Sequence, residues 1–132
     1  MTDLEKRLAE GVAAARTLSY ETDRLTEELA QVERALDELK LGVSARVPIS
    51  NDRHLCFEKE GKIWRLLIRT GDKTLLLINA SRGLRLEAVG HLNALVLAMV
   101  DESERQVGEV RAAHDRTTDY LAKLREFINR NP

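Results

Sequence analysis

The chain is 132 residues long, one ordinary domain's worth and too short for two well-cored ones. Lys and Arg number 21 against 22 Asp and Glu, with 43% apolar and 4% aromatic residues, a globular or coiled-coil composition that excludes a disordered, fibrous or disulfide-rich chain. The net charge of −1 argues against a general nucleic-acid coat, and the single Cys56 excludes an intramolecular disulfide and suits a reducing compartment.

From Leu4 to Val43, positions spaced alternately by four and three residues are Leu4, Leu8, Gly11, Ala15, Leu18, Thr22, Leu25, Leu29, Val32, Leu36, Leu39 and Val43. A seven-residue repeat held this long without a slip is the signature of a left-handed supercoil. Thr2-Asp3-Leu4-Glu5 has capping-box spacing, and Gly42 offers a left-handed stop. The spacing predicts an N-terminal coiled-coil helix over 1–42, with a seam of Leu18, Leu25, Leu29, Val32 and Leu36. The acidic residues Glu27, Glu28 and Glu33 read as its solvated face.

Residues 43–80 change period. Val43, Ala45, Val47 and Ile49 alternate with polar residues, Pro48 marks an edge strand, and Glu60-Gly61 and Gly71-Asp72 suit tight hairpins. The pattern predicts an antiparallel β-meander of three to four strands. Trp64, Leu66 and Ile68 oppose Ile63 and Leu67, and Leu75 to Ile78 are continuously apolar, so both faces of the sheet call for a cover.

Over 81–130 the helical period returns, through Val89, Asn93, Val96, Val100, Ser103, Val107, Val110, His114, Thr117, Leu121, Leu124 and Ile128. Leu84 to Val100 is apolar on several faces, which calls for burial on more than one side. Asp101-Glu102-Ser103 offers a place for a break, which the sequence leaves open.

The expected fold is therefore α+β, a single domain in which two long helices form a coiled-coil arm with the meander inserted between them. Folding the second helix back on the first as an antiparallel hairpin aligns Gly11 and Ala15 with His114 and Thr117, and Thr22 with Ser103. The competing arrangement is a homodimer in which the helices pair between chains, like with like or swapped. The order of long helix, β-hairpins and long helix resembles the outline of prefoldin subunits, whose coiled-coil arms grip unfolded chains. That resemblance runs the whole length, is one of architecture without shared motifs, and implies a holdase with apolar tips near Leu4, Leu8, Leu124 and Ile128.

No reaction chemistry is legible. His54 and Cys56 share a strand face without a third ligand, glycines never cluster before a helix, and His114 falls in the helical seam as a register-setting residue. No metal, cofactor or catalytic residue is expected. Charge is uneven: residues 1–43 carry 6 basic and 10 acidic side chains, net −4, and residues 44–87 carry 9 and 5, net +4. Lys62, Arg65, Arg69, Lys73, Arg82 and Arg85 could contact an anion or nucleic acid, with Trp64 available for stacking. Without a basic-then-apolar leader or an apolar run long enough to span a bilayer, the expected location is cytoplasmic and off the membrane. The expected function is non-enzymatic: protein interaction by self-assembly into a homo-oligomer, through Leu66, Ile68, Leu75, Leu77, Leu92, Val96 and Met99.

Overall fold

A computed structural model describes residues 2–132. It comprises α1 (Asp3–Glu38), β1 (Ala45–Ser50), β2 (Arg53–Glu60), β3 (Ile63–Thr70), β4 (Lys73–Leu76), a 3-10 turn (Leu77–Asn79), α2 (Arg82–Val89) and α3 (Leu92–Arg130). The strands form one antiparallel sheet in the order β1-β2-β3-β4. The architecture is α+β, with the sheet between helices.

Local chemistry sets the boundaries. The Thr2 hydroxyl accepts the Glu5 N–H at 3.1 Å and starts α1. The helix stops four residues before the expected glycine. Lys40 takes the left-handed conformation at φ 55°, and Gly42 repeats it at φ 66°. Gly61 and Gly71 occupy the first position of their two-residue hairpin turns at positive φ, where a side chain would be strained. The row Leu75–Ile78 is not a strand throughout: β4 ends at Leu76, and Leu77 enters the 3-10 turn, fully buried.

The C-terminal helical region breaks at Gly90–His91, not near residue 101, and α2 meets α3 there at 57°. That break redirects the chain. Arg85 of α2 donates to the Thr26 hydroxyl of α1, and Glu87 pairs with Arg53 at the β1–β2 turn at 3.9 Å. The short α2 thus returns the chain to the end of the sheet where α1 enters. At the opposite end, Ser103, Gln106 and Val107 of α3 share a groove with Leu41, Gly42 and Val43, just past the end of α1. Both long helices therefore cross the sheet in the same sense, α1 over β3 and α3 over β1 and β2. The antiparallel hairpin expected from the helical seams is not formed among the described residues.

The inner sheet face supplies Val47, Leu55, Phe57, Leu66 and Ile68, which pack with Leu29 and Leu36 of α1, Leu77 of the turn, Ala88 of α2, and Leu95 and Met99 of α3. Among the described residues the outer face has no second layer. Cys56 and Leu67, paired across β2 and β3, are nonetheless buried. Arg69 reaches across this face, donating to Glu58 on β2 and to Thr74 on β4 at 3.1 Å, and spans the strands that carry both residues. The expectation that another element must cover this face is corrected accordingly.

Candidate interaction surfaces

A buried carboxylate joins α1 to the sheet. β4 pairs only with Leu67–Thr70, so the first half of β3 lacks a strand on that side. Glu33 takes the missing place: one oxygen accepts the Leu66 N–H at 2.8 Å and the other accepts from Arg65 Nε at 3.0 Å. An unpaired N–H there would lose a hydrogen bond without water to replace it. Glu33 is thus no member of a solvated face. Its seven-residue position, flanking Leu29, Val32 and Leu36, was the available signal.

The coiled-coil seam divides. Leu29 and Leu36 are buried, and Leu25 and Val32 half-buried, all against the body around the sheet. Leu18 and His114 are exposed. The seam contact expected of His114 is therefore not made among the described residues.

The expected assembly surface is largely internal. Leu66, Ile68, Leu77 and Met99 are buried in the chain's own core, Leu92 and Val96 are half-buried against it, and Leu75 alone is exposed. The physical reason is the 57° bend, which lays the apolar start of α3 over the inner face. Leu75 instead borders an open groove of about 500 Å³ with Ile68, Leu84, Arg53 and Lys73.

Nor do the basic residues converge. Arg65 is engaged by Glu33, Arg69 by Glu58, and Arg85 by Thr26. Lys62, in the β2–β3 turn, and Lys73, which opens β4, lie at opposite ends of β3, and Arg82 opens α2 beside Ala15 to Asp23 of α1. Trp64 stacks on Phe57 with ring centroids 5.6 Å apart and packs against the core, so it offers no free platform.

Cys56 sits under this network with its thiol pushed up by burial and then by Glu58, partly opposed by Arg69 and Arg46. A buried thiol held protonated is a poor nucleophile. Among the described residues no three His, Cys, Asp or Glu side chains group to hold a metal, and no single helix is long and apolar enough to cross a membrane.

What remains uncovered is apolar and lies on the helical ends. Every residue from Asp3 to Glu21 is exposed, including Leu4 at 69% and Leu18 at 46%, and so is every residue from Val107 to Arg130, including Val110 at 67% and Ile128 at 61%. Leu86, Val89, Leu97 and Val100 add exposed apolar surface on α2 and the start of α3. Leu86 and Leu97 belong to the stretch that the sequence marks as apolar on several faces, a pattern that does not show which side faces outward. No family model, curated protein or solved structure matches the chain.

Proposed function

We propose that this is a non-enzymatic assembly protein of the cytoplasm that associates with copies of itself through its two helical arms, α1 up to Glu21 and α3 from Val107. The observation that carries this reading is the regular stripe of exposed apolar residues: Leu4, Leu8 and Leu18 on one arm, and Val107, Val110, Leu121, Leu124 and Ile128 on the other. Most helical stability in proteins comes from packing an apolar face against a partner. Large contiguous apolar surface on a soluble chain marks an interaction site. The proposed interface has moved outward from the meander, whose apolar residues the chain uses itself.

Sedimentation velocity from low to tens of micromolar protein tests the reading. The expected outcome is a reversible oligomer whose helicity and melting temperature rise with concentration. A single 14.9 kDa species throughout would overturn it.

The exposed tips at Leu4, Leu8, Leu124 and Ile128 also fit a holdase that grips unfolded chains with these arms. Delayed precipitation of a denatured client, lost on replacing Leu8 and Leu124 by serine, would favour this second reading.

A further inference from the structure

Resting on the self-association reading, we infer that each arm is covered by the other arm of a second copy: α1 of one protomer lies antiparallel against α3 of its partner in a closed two-fold dimer. The two arms leave the sheet at opposite ends, α1 beside α2 and α3 beyond Leu41–Val43, so they cannot meet within one chain. A two-fold axis across the long direction reverses the partner. It brings an α1 arm and an α3 arm together at each end of the assembly, running in opposite senses, and leaves no arm unpaired. A copy added head to tail pairs the arms in parallel and leaves one free at each end, which makes an open filament.

The stripes match in the antiparallel sense. In one register Leu4 faces Leu121, Leu18 faces Val107 and Thr22 faces Ser103, while Leu8 falls opposite Thr117. Small also meets large, since Gly11 falls opposite His114 and Ala15 opposite Val110. A Cβ at Gly11 meets nothing within 4 Å inside the chain, so its small size answers no contact of its own protomer. Pairing α1 with α1 in register sets Gly11 on Gly11 and Ala15 on Ala15, which leaves the seam underfilled.

Opposed helix dipoles point the same way, with the positive start of one helix beside the negative end of the other. Continued inward, the register also brings Leu25 of one copy toward Val100 of the other, which begins to cover the exposed start of α3.

The test uses full-length Gly11→Cys and His114→Cys proteins of distinguishable mass, purified singly, mixed through unfolding and refolding, and treated with a short bismaleimide. Buried Cys56 keeps the background low. The expected result is a cross-linked pair containing one chain of each kind, at least tenfold above the pairs either protein forms alone. Like pairs from either protein alone, or a folded dimer that yields no mixed pair, would overturn the antiparallel exchange and leave self-association standing. Oligomers that lengthen with concentration would also overturn it in favour of the filament. A monomer by sedimentation would overturn both readings. Should either cysteine variant fail to refold, Ala15→Cys with Val110→Cys tests the same register, with the same outcomes counting for and against.

Discussion

The two halves of α1 carry one uninterrupted seven-residue pattern and meet entirely different surroundings. From Leu25 to Leu36 the stripe is packed on the body around the sheet, and from Leu4 to Leu18 it faces water. A helix seam specifies which side wants a partner, and the rest of the chain decides what that partner is. Here the sheet takes the first claim on the second half, because the inner face and α1 are joined by Glu33 as well as by apolar contact.

The largest expected effect separates body from arm. Leu95 is fully buried among both helices and the sheet, so Leu95→Ala should cost about 2–5 kcal/mol in urea unfolding. Leu8→Ala removes the same atoms from an exposed site and should leave unfolding of the dilute chain within about 0.5 kcal/mol. Its effect should appear only as weaker association at higher concentration. Equal losses from both variants under dilute conditions would dissolve the distinction between the two regions.

Within α1 the same contrast can be drawn with two glutamates. Glu33→Ala strips the acceptor from a buried N–H and leaves Arg65 without its partner, an expected loss of about 1–3 kcal/mol. Glu28→Ala breaks only an exposed pair with Arg24 at 3.6 Å, and should change stability by no more than about 0.5 kcal/mol. Chemical denaturation of the two variants side by side checks both numbers.

These contrasts also show what the sequence could and could not carry. The long first helix, the hairpin turns at Gly61 and Gly71, and the antiparallel meander were legible because local chemistry decides them: a cap, a positive φ, a period of two. The relative sense of the two helices was not. It depends on α2, an eight-residue helix whose separation from α3 rests on Gly90–His91, and neither residue forces a break there: Gly90 keeps ordinary helical angles, and a Cβ on it would make only normal contact. Glu33 was misplaced for a related reason, since a carboxylate among arginines reads as surface until the missing strand beside Leu66 is seen. The basic residues failed as a patch because three of them already hold partners inside the fold. The register that aligns Gly11 with His114 was read as an intrachain feature, and survives only as a proposal about two chains.

Where the chain passes from α1 to the sheet, Lys40 offers a smaller test. A lysine at φ 55° carries a steric cost of about 1 kcal/mol that glycine avoids, partly offset by glycine's greater freedom in the unfolded chain. Lys40→Gly should therefore raise stability by about 0.5 kcal/mol, near 2 °C in a thermal melt. A loss of stability would mean that the lysine side chain contributes to the exit of α1 beyond its backbone.

The smallest expected effect lies where α3 leaves the body. Arg105 is bonded to Glu102 one turn before it and to Glu109 one turn after it, and Gln106 also donates to Glu102 at 3.0 Å. The Arg105 hydrogen bond, followed by that from Gln106, lowers the Glu102 carboxyl from an ordinary 4.5 to about 2. Because the folded value lies below the unfolded one, this pair stabilises the fold above about pH 4.5, and that stabilisation is lost as pH falls toward 2. The cluster is at the surface and screened, so the change should be small, and smaller still in high salt. Comparison with Arg105→Ala isolates it: the melting temperatures of the two proteins should converge as pH falls through this window, and the Glu102 carboxyl should titrate at a higher pH in the variant by NMR. A difference that persists unchanged to pH 2 would assign the role of Arg105 to its contact with the helix surface, and the start of the α3 arm would then be braced by packing instead of charge.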